Sequence, residues 1–234
     1  TDHVGGIPEV AAKIPIVHYV DHGSNTEANP GAQKLAAAYD EVAAKGKRRV
    51  VKPGDKIPLK GVEISVVAAR GATITAPLPG AGAPNPACAS IEPKREDRSE
   101  NARSVGFILK YGNFRFADLA DLTWNKENEL VCPNNRIGTA DVYLISHHGM
   151  DISNSPAILS ALQPIVAIGN NGAKKGGAPG AFKVIRNTPS VKDIWQLHTA
   201  LAAGDLNAPE QFIANPEENC QGHYIKLTAE SNGA

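Results

Sequence analysis

The chain has 234 residues, 42% of them hydrophobic and 21% charged; this is the composition of a globular protein, neither disordered nor fibrous, and long enough to bury a sizeable core. Lys plus Arg and Asp plus Glu number 24 each, so the formal net charge is zero. That balance argues against a strongly basic nucleic-acid module and leaves room only for a local basic groove.

No apolar run approaches the roughly 20 residues of a membrane helix, and no signal-peptide pattern is visible. The chain opens on Thr1 and contains one methionine, Met150, which reads as a mature form or a fragment.

In chain order, Pro8 suits the first position of a helix over Glu9 to Lys13. Ile14 to Val20 reads as a strand ending in the turn Asp21-His22-Gly23-Ser24. Leu35, Ala38, Tyr39, Val42 and Ala43 form an apolar stripe that predicts a helix from Gly31 to Lys45, with Gly46 as its C-cap. Arg49 to Lys52, Ile57 to Leu59 and Val62 to Ala68 predict short strands. Residues 76–100 are rich in Pro, Gly and charge, and fit a long loop within one sheet better than a linker between domains. Ser104 to Leu109 and Asn113 to Phe116 predict a hairpin. A helix is expected from Thr123, a buried strand over Val142 to Ser146, a helix over Ala157 to Leu162 and a strand over Ile165 to Gly169. Asn170 to Gly180 is glycine-rich. Phe182 to Asn187 and Ser190 to Leu201 read as helical, the second with Trp195 in the core and His198 structural. Tyr224 to Thr228 predicts a closing strand. Interleaved strands and helices point to an α/β fold.

Cys88, Cys132 and Cys220 form no CxxC pair, which argues against a thiolate zinc cluster. Two readings stand for them: unpaired small residues, or one disulfide with an odd thiol, which would imply export.

Asp2-His3, Asp121 and His147-His148 each sit where a strand-like run gives way to a turn, the place where ligand-binding side chains gather in layered α/β folds. Imidazole and carboxylate together suit Zn, Mn or Fe. His22 also follows a strand and is either a loop histidine or part of the mouth of a site. Asp118 is either an acceptor for a ligand imidazole or an ordinary turn aspartate. The stretch from Asn170 to Gly177, with Lys174 and Lys175, could face a phosphate, but it matches no phosphate-loop pattern and reads first as a flexible solvated turn.

These motifs carry a resemblance. Thr1-Asp2-His3-Val4-Gly5-Gly6 resembles the tail of the HxHxDHxGG motif of the metallo-β-lactamase fold. Phe114 to Thr123 resembles that family's strand leading to a bridging aspartate, with Asp121 in the "GDL" context. Asp141 to Gly149, then Ser153-Asn154-Ser155-Pro156, resembles the HHG block of the ComEC-like branch, and Ser99 to Val105 fits the same branch. The family's GHxxG histidine has no counterpart between His22 and His147, a feature shared with the ComEC-like and phosphorylcholine-esterase-like branches.

The resemblance implies one domain over 1–234, a metallo-β-lactamase-like αββα four-layer sandwich that begins inside the motif, without the N-terminal strand and the HxH pair. It implies two divalent ions, Zn first with Mn or Fe as alternatives. Asp121 would bridge them, and Asp2, His3 and one of His147 and His148 would bind the second ion. Asp2 and His148 are the catalytic candidates, the histidine that is not a ligand contacting substrate or protonating the leaving group. The implied activity is hydrolysis by a metal-bound hydroxide, with a small-molecule or phosphoester substrate favoured over β-lactams and an exported, periplasmic or extracellular, location. The alternative is a non-catalytic binding domain that keeps the fold with an incomplete site. Nuclease activity within a DNA-uptake system is weaker still, because neutral charge and the lack of a basic-aromatic stripe argue against tight nucleic-acid binding.

Overall fold

The structure is a computed structural model that describes residues 2–92 and 94–233; Thr1, at the head of the first quoted motif, lies outside the described residues. The chain forms helix α1 (Ile7–Lys13), strand β1 (His18–Asp21), helix α2 (Pro30–Ala43) and strands β2 (Lys47–Val50), β3 (Lys56–Leu59), β4 (Val62–Ala69) and β5 (Ala72–Thr73). After the long loop come β6 (Gly106–Tyr111), β7 (Phe114–Asp118), α3 (Trp124–Val131), β8 (Val142–Leu144), α4 (Pro156–Leu162), β9 (Val166–Gly169), α5 (Pro179–Arg186), β10 (Asp193–His198) and β11 (Ile213–Asn215). This is an α/β protein with a mixed sheet.

β1 and β2 pair in parallel as a small sheet of their own. The large sheet runs β11-β10-β9-β8-β7-β6-β4-β3, with β5 on β4. β7 is the turning point: it is antiparallel to β6 and parallel to β8, and β8 to β11 continue in parallel. Asp118 lies opposite Leu144, and Leu144 opposite Ile168. The carboxyl ends of β7, β8 and β9 are therefore level, and the segments that leave them emerge side by side. Such a crevice at the carboxyl ends of parallel strands is where α/β folds bind ligands.

The main core lies under these strands. Ala117, Tyr143 and Ala167 from the sheet, Leu130 and Val131 from α3, Ile158 and Leu162 from α4, and Phe182 and Ile185 from α5 belong to one buried cluster. β8, Val142-Tyr143-Leu144, is a short apolar run, buried at Val142 and Tyr143, whereas β9 buries alternate residues, Ala167 and Gly169. Ser155 caps α4 by accepting from Ile158 N at 3.1 Å, with Pro156 in the first turn. Because β4 pairs with β6, the segment 76–100 is a loop between neighbours of one sheet. It is stapled by a disulfide between Cys88 and Cys132, while Cys220 is free and exposed. Of the two cysteine readings, the one with a disulfide and an odd thiol is the one observed.

Four expectations need correction. Residues 190–201 are not helical but hold strand β10. Val191, Ile194, Trp195 and His198 satisfy a helical spacing, yet β-branched and aromatic residues also suit a strand, and a short apolar run cannot decide between them. Pairing with β9 decides it. Trp195 is half-buried with its ring edge-on to Phe212, and the side chain fully enclosed there is Gln196. Residues 224–228 form no strand, and Tyr224 is 78% exposed. β11 has already taken the edge of β10. Ile14 and Val17 are exposed, and the first strand starts only at His18. Gly46 is not a C-cap, a place taken by Ala44. It is glycine because a Cβ there would come within 2.7 Å of the Tyr19 ring.

Candidate metal centre

Three segments remote in sequence meet at the level ends of β7, β8 and β9. The turn after β7 presents Asp121, the turn after β8 presents His147 and His148, and Asp2 and His3 come from just before α1. His3 Nε2 lies 2.9 Å from Asp121 Oδ2. His148 Nε2 lies 2.9 Å from Asp2 Oδ2 and 3.5 Å from Asp121 Oδ1. His147 Nε2 lies 3.8 Å from Asp121 Oδ2. All five sequence-predicted site residues are thus in one cluster. Donor atoms of Asp2, His3 and His148 all lie within 4.8 Å of one another.

The backbone there is unusual for ordinary residues. His147 and His148 have φ of +52° and +54°, in a one-turn segment over Ser146–Gly149. Ala120 and Asn154, beside them, have φ of +49° and +63°. Left-handed non-glycine residues cost on the order of 1–3 kcal/mol each and persist only where the surroundings over-determine them. The surroundings do so here. His147 N donates to Ala120 O at 2.9 Å. Tyr143 Oη donates to Asn154 Oδ1 at 2.9 Å and accepts from Ser146 N–H at 3.1 Å. Asn154 Nδ2 donates to Ser146 O at 3.0 Å. Beneath this network the fully buried Glu127 accepts from Asn154 N and Ser155 N, each at 2.7 Å. Burial pushes its carboxyl up to about 7, against those two amides.

Hydrogen bonds on the far side of each ring set which nitrogen faces inward. Ser153 Oγ uses its proton on Leu122 O at 2.8 Å, so it accepts from His147 Nδ1 at 3.3 Å. His147 Nε2 is then left with a lone pair toward Asp121, with only Asn101 Nδ2 at 3.5 Å. His148 Nδ1 donates to Asn170 O at 3.2 Å. Its Nε2 is buried and has no partner in hydrogen-bonding geometry, although Asp2 is close. An imidazole whose outer N–H is held by a carbonyl or hydroxyl is oriented as metal ligands are.

Neighbouring cationic groups hold the Asp121 and Asp2 carboxyls ionised. Burial works to raise the Asp121 carboxyl, but the bond from His3 and the neighbouring imidazoles hold it below its ordinary value. The bond to Asp121 raises His3. Burial lowers His147 and so favours its neutral, ligating form. For Asp2, burial is outweighed by the ammonium of Lys175, which holds the carboxyl well below the carboxylate range.

The donor set fits a divalent ion. Two donors on one tetrahedral zinc, with bonds of about 2.0 Å, stand about 3.3 Å apart. Four imidazole–carboxylate pairs stand 2.9 to 3.8 Å apart, and the donors of Asp2, His3 and His148 all lie within 4.8 Å of one another. Asp121 turns one oxygen to His148 and the other to His3 and His147, as a shared carboxylate would.

A cavity of about 540 Å³ opens from Asp2, His3 and Asp121, within the range of small-molecule sites. Its far wall carries His22, whose Nε2 lies 2.9 Å from Glu100 Oε2, so His22 does line the mouth. Arg48 there is held by Asp21 and Asp40 at 2.7 Å each. His148 is not part of the cavity wall. Asp118 accepts from Ala120 N at 2.8 Å and makes no hydrogen bond to an imidazole among the described residues, so its part is to hold the turn.

Asn101, Ser153, Glu127 and Asn170 O escaped the sequence reading in these roles. Only Glu127 carried a signal, as an acid within the apolar face of a short helix. The chain matches no family model and no curated protein.

Proposed function

We propose that this chain is a metal-dependent hydrolase of the metallo-β-lactamase type, ComEC-like branch, with the αββα sandwich of that fold, acting on a phosphodiester or related ester. The observation that carries the reading is the convergence of Asp2, His3, Asp121, His147 and His148, with the Nε2 atoms of His147 and His148 both turned toward Asp121. The two sheets and the level strand ends support the fold. Asp2, His3 and His148, with Asp121 beside them, would hold one divalent ion; His147 and the Asn101 amide, on the other flank of Asp121, are the groups that could help hold a second. The mixed imidazole and carboxylate donors suit Zn first, then Mn or Fe.

Such ions, when bound, supply a water acidic enough to ionise near neutral pH and polarise the ester oxygen. The chain's own residues do the rest. Asp2, on the cavity wall, would stay ionised as a ligand, its carboxyl held well below the carboxylate range. Ser153 and Asn170 O keep the two imidazoles in register, and the cavity holds the body of the substrate against His22 and Tyr39. The Cys88–Cys132 disulfide supports an exported, periplasmic or extracellular, setting. No helix among the described residues is long and apolar enough to cross a membrane.

Calorimetric titration of the full chain with Zn²⁺, followed by assay on a chromogenic phosphodiester, tests the reading. At least one ion per chain, a loss of at least tenfold in affinity for Asp121→Asn, and zinc-dependent turnover are expected. Less than one ion, or no effect of the substitution, would sink it. Tight binding without hydrolysis of any phosphodiester or ester would return the protein as a non-catalytic binding domain.

A further inference from the structure

The glycine-rich segment after β9 is not the solvated turn its composition suggests. It is fastened to the paired histidines. Gly177 N donates to His148 O and Ala178 N to Gly149 O, each at 2.8 Å, and Gly172 N donates to Lys175 O at 2.9 Å. Leu201 N donates to Ala173 O at 2.9 Å, tying the segment to the end of β10. Gly176 and Gly177 have φ of +83° and +60°, and a Cβ on Gly176 would fall 2.1 Å from His148 O. Only glycine lets the backbone lie this close. The consequence is that Lys175 is delivered to the cluster, where its ammonium donates to Asp2 Oδ2. That is the oxygen that also faces His148 Nε2.

Asp2 therefore already has a cation, and it is a monovalent one on a flexible stem. The Lys175 and Asp2 side chains are 55% and 40% exposed. A pair that open to water is weak, so a divalent ion can displace it at little cost. Arg48, on the cavity wall, is committed to Asp21 and Asp40, and Lys174 to Glu218. A displaced Lys175 ammonium stays within reach of the same corner of the cavity, where it would meet an anionic oxygen.

We propose that Lys175 and a divalent cation compete for Asp2, and that the displaced ammonium then binds an anionic oxygen of the substrate, which selects phosphoryl esters over neutral ones. This rests on the metal-dependent reading above and adds to it a residue that recognises the substrate's charge.

The test uses the full chain, Lys175→Met and Lys175→Arg, with Zn²⁺ and with methylphosphonate as the anionic probe, both followed by calorimetry. Lys175→Met should bind zinc about two- to fivefold more tightly, the affinity equivalent of losing a weak competing pair. On the zinc-loaded protein its affinity for methylphosphonate should fall about tenfold, while Lys175→Arg keeps most of that affinity. If zinc binds but Lys175→Met changes neither affinity, the inference falls and the hydrolase reading stands. Should no variant, nor the parent, bind zinc, both fall together.

Discussion

Glu127 shows how much a single buried group can set. Its two oxygens hold the amides of Asn154 and Ser155, and Asn154 in turn holds the backbone of Ser146. A carboxylate at the base of α3 thus reaches the histidine turn through two hydrogen bonds. Glu127→Gln turns one acceptor into a donor that faces an N–H, and the expected loss is about 1–3 kcal/mol, read by urea unfolding. The pH dependence has a definite sign. The folded carboxyl sits at about 7 against an ordinary 4.5, so between those values the folded state holds a proton that the unfolded chain releases. Its contribution is present below about pH 4.5 and is lost as pH rises toward 7, by about 3 kcal/mol at most. The stability gap between parent and Glu127→Gln should therefore shrink from pH 5 to pH 7. A gap that widens would contradict the assignment.

At the scale of elements, two loops position the site, and neither looks structured by composition. The segment 76–100 is tied to the rest of the chain by the Cys88–Cys132 disulfide, 44 residues apart, and its far end delivers Glu100, with Asn101 just after it, to the cavity. Loop closure of that length is worth up to about 4 kcal/mol in the chain-entropy account. Reduction, or Cys88→Ser with Cys132→Ser, should lower stability by about 2–4 kcal/mol, seen as a drop in the thermal midpoint. The segment 170–178 depends on glycine instead. Gly176→Ala would drive a methyl into His148 O and hold it at a strained φ, so a loss of more than about 1 kcal/mol is expected. Weakened zinc binding should accompany it, because the loop then no longer rests on His148. Gly54→Ala is the control for φ alone: it also has positive φ, but nothing stands near its Cβ.

For the whole molecule, the decisive feature is the switch at β7. An antiparallel half, β3 to β6, gives way to a parallel half, β7 to β11, and the site lies where the parallel strands end together. The clustered carboxylates and imidazoles come from three remote stretches, so a divalent ion held by them would cross-link the N-terminal segment to the sheet. Binding to the folded state alone adds about 2.7 kcal/mol at a free-ion concentration of one hundred times the dissociation constant. Zinc should raise the thermal midpoint, and a chelator should return it; the same midpoint with and without zinc would mean that the cluster holds no ion.

Much of this was legible in residue order alone. Apolar runs marked β4, β6, β8 and β9, Pro-led starts marked α1 and α4, and the short motifs around Asp2, Asp121 and His147 picked out the cluster before any fold was known, because each motif is local and its residue types are those that bind cations. What lay beyond reach was everything that depends on who the neighbours are. Residues 190–201 read as helix by their spacing until pairing with β9 made 193–198 a strand. Tyr224 to Thr228 had strand chemistry but pair with no strand of either sheet. Which nitrogen of His147 and His148 faces inward was set by Ser153 and Asn170, and whether Lys175 meets water or Asp2 was set by glycines resting on a histidine carbonyl. Propensity is a property of a few consecutive residues, whereas pairing, tautomer and charge partner belong to groups that only folding brings together.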